Sequence, residues 1–465
     1  MDYTSALAYL NRFVDYERQP DFVRQARFDL ARMESLLARM DDPHRKVPTV
    51  HLAGSKGKGS TAAMVAAILQ AGGHTVGLYT SPHLRDFCER IRVNGEKISP
   101  VEVVRQVETQ LRPAIESYQR DPVHGELTFF EVYTALALAH FAERATVQVI
   151  EVGLGGRLDA TNVVQPAVSV ITPISWEHAA VLGPTLAAIA REKAGIIKPG
   201  VPVVSGPQTE EVAAVLEAVC EQRGCPLIWA DARFSLPPPD ARFTRSGSYF
   251  TLEAPGPSCS EAEPGRRTYP NLFLPLLGLH QVENAATAVA AVEVLQTQGW
   301  SLPPEAVTEG LAKVRKSGCV QVVRERPWVV LDGAHNRASA ERLAETLRTL
   351  FLLPGDGGGS PTAPAPRLIV ILGSFRDKDV AGVVAALAPH AAEMLLTTTG
   401  HGRALSPEEI RAAIGPLDLP VELQPDLATA LAVAQSRAGQ DDVVAVTGSL
   451  QLVGEALRIL DVEVP

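Results

Sequence analysis

Residues 51–60 read H-L-A-G-S-K-G-K-G-S, and their setting decides the fold. The apolar run Val47 to Ala53 reads as a buried strand, and Thr61 to Gln70 reads as a helix closed by Gly72 and Gly73. A glycine-rich turn between strand and helix leaves several backbone N–H groups unpaired at the positive end of the helix dipole, which makes an anion site. Lys58, between Gly57 and Gly59, adds a formal charge within reach of a phosphate, and Ser60 offers a hydroxyl to a phosphate-bound magnesium ion. The loop is a variant of the strict phosphate-loop pattern: Leu52 stands where the first glycine is expected, and Gly59 intervenes before the hydroxyl. A glycine turn with incidental lysines is the plain alternative, and the strand-before, helix-after context separates the two.

Composition bounds the rest. The 465 residues, 46% hydrophobic and 21% charged, suit a globular chain of roughly two or three domains. Met1 to Asn11 carries Asp2 and no basic stretch ahead of an apolar core, so no signal peptide is expected. No apolar run of about 18 residues predicts a membrane span. Five cysteines, at 88, 220, 225, 259 and 319, fit reduced thiols in a cytoplasm, with Cys220 and Cys225 structural. A net charge of −10 argues against a nucleic-acid partner.

Ahead of the phosphate loop, Tyr9, Phe13, Phe22, Phe28 and Leu30 suggest two short helices. After it, the strand Thr75 to Thr80 leads to Ser81-Pro82-His83-Leu84 and to Arg85, Arg90 and Arg92, an anion site or a solvated loop. A helix is expected over Val101 to Gln119, and another from Thr128-Phe129-Phe130-Glu131 through Phe141. Val147 to Val152 reads as a buried strand ending in Glu151, followed by a glycine-rich turn from Gly153 to Asn162. A carboxylate there, beside the phosphate-loop strand, is where doubly wound nucleotide enzymes hold their metal. The strand Val168 to Ile174 brings Glu177 and His178 to the same edge, with His178 a candidate ligand. Lys193 reads as a solvated helix residue, and Pro237 to Arg267 as a β excursion or loop.

A second βα series has strands at Trp328 to Leu331, Leu368 to Leu372, Ala392 to Thr397 and Val443 to Val446. The run Pro354 to Pro366 is low in complexity and reads as a mobile surface loop. Polar groups again follow strand ends, at Asp332-Gly333-Ala334-His335-Asn336 and Thr447-Gly448-Ser449, which suggests a ligand cleft between two α/β domains. The expected architecture is α/β: a P-loop doubly wound domain over 1–300, a linker over 301–327 and a smaller Rossmann-like domain over 328–465.

These pieces resemble the folylpolyglutamate synthase and dihydrofolate synthase group of Mur-type amide ligases. The matches are G-S-K-G-K-G-S at 54–60, T-S-P-H-L at 80–84, E-V-G-L-G-G-R-L-D-A-T-N at 151–162, R-E-K-A-G-I at 191–196, H-Q-V-E-N-A at 280–285, L-D-G-A-H-N at 331–336, R-D-K-D at 376–379 and T-G-S-L at 447–450. They run in family order over nearly the whole chain.

The resemblance implies an ATP- and magnesium-dependent ligase that joins L-glutamate to dihydropteroate, a reduced folate, or both, through an acyl phosphate. It implies that Gly57, Lys58, Gly59, Ser60, Asn284 and Asp332 hold ATP. Ser60, Ser81, Glu151, His178 and Lys193 then serve two magnesium sites, Lys193 as a carbamate. Thr128, Phe129, Phe130, Glu131, Leu158, Asp159 and Ala160 match pterin-substrate positions, and Asp332, His335 and Ser449 match glutamate positions. Lys58, Lys193 and His335 are the catalytic set. A cytoplasmic monomer is expected, with small-molecule substrates and neither nucleic-acid nor membrane partner.

The chain departs from the pattern in two places. The family's Asp-His pair reads Glu177-His178, a carboxylate exchange, and its W-P-G-R reads Lys316-Ser317-Gly318-Cys319. That arginine contacts an ATP phosphate in the family, and cysteine supplies no fixed cation. Two other readings stay open: a Mur-type ligase for another acceptor, and a nucleotide-binding protein with degenerate ligase activity.

Overall fold

The computed structural model describes residues 1–15, 29–253, 267–353 and 365–464; Phe22, Phe28, Cys259 and residues 354–364 of the low-complexity run lie outside them. The chain divides into two compact units. The first holds Met1–Asp240, Phe250–Leu272 and Glu283–Val314; the second holds Ala241–Tyr249, Phe273–Val282 and Arg315–Pro465.

Among the described residues, the first unit is built on an eight-stranded sheet. Its strands are β1 Thr49–Ala53, β2 Val76–Tyr79, β3 Ile91–Val93, β4 Glu96–Lys97, β5 Val147–Glu151, β6 Pro166–Ile171, β7 Val203–Ser205 and β8 Leu227–Trp229. They lie in the order β4-β3-β2-β5-β1-β6-β7-β8. Pairs from β2 across to β8 are parallel, while β3 and β4 form an antiparallel edge. Every residue of β1 and β5 is buried, which is why both read as continuous runs without alternation. The chain leaves β1 for β2 across β5 and returns through β6 on the other side. The carboxyl ends of β1 and β5 therefore flank the crevice in which sheets of this kind take ligands.

The helix Lys58–Ala71 follows β1 directly, entered through Gly57 at φ 82°. The helix expected over 101–119 is Pro100–Gln106 and Arg112–Arg120 joined by a π-helical stretch, Val107–Leu111. Pro113 lacks an N–H, and a widened turn ahead of it relieves the clash that a proline ring otherwise makes. One core cluster gathers Leu36, Val103, Leu111, Tyr133 and Phe141; another gathers Ile171, Ile189, Val203 and Leu216. Residues 306–313, expected within a linker, form the helix Ala306–Lys313 of the first unit. Gly310 lets it approach the phosphate-loop helix so closely that a Cβ there would stand 2.5 Å from Ile68 Cα.

Three strands form a small sheet: β9 Arg242–Thr244 and β10 Gly247–Leu252 lie inside the stretch expected as a β excursion or loop, and β11 Tyr269–Leu274 follows just beyond it. The second unit carries β12 Gln321–Glu325, β13 Trp328–Leu331, β14 Leu368–Leu372, β15 Glu393–Leu396, β16 Val421–Leu423 and β17 Val443–Thr447. Their order is β12-β13-β17-β14-β15-β16, parallel except at β12. Its core includes Val330, Leu347, Phe351, Val370, Leu387 and Met394. No residue of β12 or β16 is fully buried, so neither carries the apolar run that marks its neighbours. No described helix is long and apolar enough to cross a membrane.

Candidate active site

The loop Gly54 to Ser60 leaves the carboxyl end of β1 and is tied to the turn after β6. The Ser55 and Lys56 N–H groups both donate to the Pro173 carbonyl at 3.0 Å, and Ser55 Oγ donates to the Ser175 carbonyl at 3.0 Å. Gly57 has φ 82°, and a Cβ there would stand 2.3 Å from Asn284 Oδ1. The buried Asn284 therefore lies against the backbone of the phosphate loop. Ser60 is buried in the first helical turn, and Lys58 Nζ donates to the Gly54 carbonyl at 2.9 Å.

At the end of β5 the buried Glu151 accepts the Ser81 N–H at 3.1 Å, which brings together two of the expected metal positions. Register places Glu151 opposite Leu52, just ahead of the phosphate loop.

Lys193 corrects the sequence reading. It is only 2% exposed, and its ammonium donates to the Gly54 carbonyl at 2.7 Å and to Glu177 Oε1 at 2.7 Å. The cause is a close backbone approach. The Arg157 N–H donates to the Glu192 carbonyl at 2.8 Å, and a Cβ on Gly195 would stand 2.4 Å from Arg157 Cα. The two glycine-bearing segments thus press together and carry Lys193 under the phosphate loop. Burial pulls its pKa down to about 8, with Lys58 and Lys56 adding to the shift and Glu177 opposing it. Burial would raise Glu177, but Lys193, Lys58 and Lys56 outweigh it and hold the carboxyl at about 2. His178 sits on the exposed turn after Glu177 with φ 47°. Among the described residues no three His, Cys, Asp or Glu side chains gather as a metal cage. A cation at this edge must draw much of its coordination from phosphate, hydroxyls and water, as magnesium commonly does.

The expected pterin positions divide by burial. Thr128 and Glu131 form a capping box: the Thr128 N–H donates to Glu131 at 2.7 Å and the Glu131 N–H donates to Thr128 Oγ1 at 3.2 Å. Glu131 also takes the Arg32 Nε–H at 2.9 Å in a buried ion pair. Burial raises the Glu131 pKa, and Arg32 opposes that shift. Asp159 accepts the Leu154 N–H at 2.9 Å and the Thr161 N–H at 3.0 Å. Phe129 and Ala160 are buried, which leaves the half-buried Phe130 and Leu158 as the side chains with surface for a ligand. The Phe130 ring covers Gly153, where a Cβ would stand 2.5 Å from Phe130 Cζ. The capping box was legible as T-x-x-E, whereas nothing in the sequence marked Arg32 as its partner.

The arginine group divides: Arg85 is exposed, whereas Arg90 and Arg92 are engaged within their own loop. Arg90 is 1% exposed and its Nε–H donates to His83 Nδ1 at 2.9 Å, while Arg92 donates to the Glu89 carbonyl at 3.2 Å and to the Gly95 carbonyl at 2.9 Å. These two hold their own loop together.

In the second unit the turns after β13 and β17 meet. Asp332 accepts the Val320 and Ala334 N–H groups, each at 2.8 Å, and the Gly448 N–H donates to the Ala334 carbonyl at 2.9 Å. His335 Nδ1 lies 2.9 Å from the Gly333 carbonyl, so the ring carries its proton on that nitrogen. Ser449 is buried and caps the helix Leu450–Ile459 by accepting the Leu452 N–H at 3.1 Å.

A phosphate loop on a doubly wound sheet, with a carboxylate at the adjoining strand end, defines a nucleotide-dependent α/β enzyme. Residues 319–450 match the Mur ligase, glutamate ligase domain. The chain is 33% identical to the dihydrofolate synthase/folylpolyglutamate synthase of Bacillus subtilis over 434 residues, covering 93% of this chain and 94% of that protein. It is 34% identical to the folylpolyglutamate synthase of Lacticaseibacillus casei, covering 99% of each. The solved structure of Mycobacterium tuberculosis folylpolyglutamate synthase complexed with ADP superposes with a TM-score of 0.84 at 33% identity, covering 100% of both chains. The chain belongs to the dihydrofolate synthase/folylpolyglutamate synthase family, and it is an ATP-dependent ligase of the Mur type.

Proposed function

We propose that the enzyme joins the α-amine of L-glutamate to the carboxyl group of dihydropteroate, of a (poly)glutamyl tetrahydrofolate, or of both. The observation that carries this reading is the convergence of phosphate loop, Glu151 and buried Lys193 at the ends of β1 and β5. A carboxylate oxygen is too poor a leaving group for direct attack by an amine. Transfer of the ATP γ-phosphoryl group to that oxygen forms an acyl phosphate, and the amine then displaces phosphate through a tetrahedral intermediate. The protein contributes positioning and charge stabilisation.

In this reading Lys58 and the loop amides hold the phosphates, with Asn284 and Asp332 as further nucleotide contacts. Phe130 and Leu158 face the acyl substrate on a loop and helix that Thr128, Glu131 and Asp159 keep in shape. Asp332, His335 and Ser449 form the glutamate side. Ser60, Ser81 and Glu151 offer hard oxygens of the kind magnesium prefers, and His178 serves a second ion. Bound there, magnesium neutralises charge on the phosphoryl group. Lys193 as an ammonium cannot ligate a cation. Its lowered pKa makes the free amine accessible, and addition of carbon dioxide with loss of a proton yields an anionic carbamate that can ligate. The enzyme works as a cytoplasmic monomer on small molecules, without nucleic acid or membrane.

The test is ADP release with dihydropteroate and with tetrahydrofolate, each with and without glutamate. Glutamate-dependent ADP with either acceptor is expected. No ADP with either favours a ligase for another acceptor.

A further inference from the structure

His51 lies at the centre of β1 and is fully buried, an unusual place for an imidazole, and the proposed mechanism does not use it. Its Nε2 stands 3.0 Å from Thr161 Oγ1, and the Thr161 hydroxyl lies 2.5 Å from Asp159 Oδ1. The proton assignment follows from valence. Burial raises the Asp159 pKa, and the backbone N–H groups its two oxygens take, from Leu154 at 2.9 Å and Thr161 at 3.0 Å, oppose that shift and favour the carboxylate, which only accepts. The single Thr161 hydroxyl proton therefore points to Asp159, and the Thr161 oxygen is left to accept from His51. His51 must then carry its proton on Nε2.

We infer that His51, Thr161 and Asp159 form a positioning relay that pins the 153–161 loop to the strand carrying the phosphate loop, and so governs use of the acyl substrate. The relay joins a rigid central strand to a loop bearing Leu158 and the seat of the Phe130 ring. Lys198 is the other charged group acting on His51, and its Nζ donates to the Asn162 carbonyl at 2.8 Å on the same loop. Burial, with Lys198 second, holds the imidazole pKa down at about 3, so the relay stays neutral at His51 throughout the working range.

The inference rests on the reading that Phe130 and Leu158 face the acyl substrate. Thr161→Val keeps the shape and removes the hydroxyl; Thr161→Ser keeps the hydroxyl; His51→Gln keeps an N–H donor near the Nε2 position. Initial rates with tetrahydrofolate or dihydropteroate and with ATP are measured for each, together with ring-nitrogen NMR of the histidine-labelled whole protein. Expected are a proton on His51 Nε2, an acyl-substrate KM raised about tenfold or more in Thr161→Val with the ATP KM little changed, and recovery in Thr161→Ser and His51→Gln. A purely structural role moves both KM values together or neither, and that result, or a proton on Nδ1, overturns the relay. If the unmodified enzyme releases no ADP with either acceptor, the substrate reading has failed instead, and the ring-nitrogen spectrum still decides the relay.

Discussion

Lys193 Nζ stands 2.7 Å from the Glu177 carboxylate and 2.7 Å from the Gly54 carbonyl, so one buried cation ties the phosphate loop to the turn after β6. Glu177 is held at about 2, below its ordinary 4.5, so its stabilising contribution is present above pH 4.5 and is lost as pH falls toward 2. Lys193 is lowered from 10.5 to about 8. Between those values the folded protein binds fewer protons than the unfolded chain, and stability from this group rises with pH. Glu177→Gln leaves the ammonium buried without its anion, at a cost of roughly 3 kcal/mol near neutrality. That loss should shrink in thermal melts at about pH 9.5 relative to about pH 6.5, because the amine is then largely neutral in both proteins. An equal loss at both values would show that Lys193 is not the group responding.

Lys58→Ala removes the phosphate cation from a half-exposed loop and only one hydrogen bond to the Gly54 carbonyl. The expected result is a fall of about ten- to a hundredfold or more in ATP-dependent turnover with a melting temperature changed by only a few degrees. Near-normal turnover would mean that the phosphates bind elsewhere.

Gly57→Ala tests the loop geometry itself. The residue has φ 82°, and the added methyl would stand 2.3 Å from Asn284 Oδ1, so both backbone conformation and packing oppose it. ATP affinity, read by equilibrium titration, should collapse by more than it does for Asn284→Ala, which frees space. Equal effects would show that Asn284 matters only as a nucleotide contact.

Some elements of the fold are written plainly in the sequence and others are not. β14 announces itself because both faces are covered and every position is apolar, and β1 and β5 because all their residues are buried and only His51, Gln148 and Glu151 interrupt an apolar or small run. β12 and β16 do not, since half-exposed edge residues need no apolar pattern. Lys193 misleads for a related reason. Its own helix ends in R-E-K, which reads as a solvated turn, and the burial comes from Gly156 and Gly195 allowing a distant segment to approach. Thr128 and Glu131 were singled out as binding positions, yet their side-chain contacts are a cap and the Arg32 ion pair. A local motif can show that such residues are constrained without showing whether helix or ligand constrains them.

Glu151→Gln keeps an acceptor for the Ser81 N–H and removes a charge at the end of β5. If magnesium sits there, the magnesium concentration for half-maximal rate should rise about tenfold while the melting temperature without metal stays nearly constant. An unchanged magnesium titration would move the ion to another site.

Cys319 stands where the family pattern has an arginine. The half-buried Cys319 is flanked by Gly318, whose carbonyl accepts the Gly333 N–H at 2.9 Å, and by Val320, whose N–H donates to Asp332 Oδ2 at 2.8 Å. The backbone at 319 is thus fixed beside Asp332, and a longer side chain there starts from a defined position. A charge-assisted contact to phosphate is worth roughly 1.5–3 kcal/mol, or about ten- to a hundredfold in affinity or rate. Cys319→Arg, paired with Ser317→Pro to match the family turn, should therefore lower the KM for ATP or raise turnover by about that factor. The exposed Arg315 and half-buried Lys316 are the cations that could already fill the role. Should Arg315→Ala or Lys316→Ala abolish activity while Cys319→Arg adds nothing, one of them has replaced the missing guanidinium. Should the arginine raise affinity for ATP without raising glutamate-dependent ADP release, phosphate charge was never limiting, and the slow step lies in the attack of the amine.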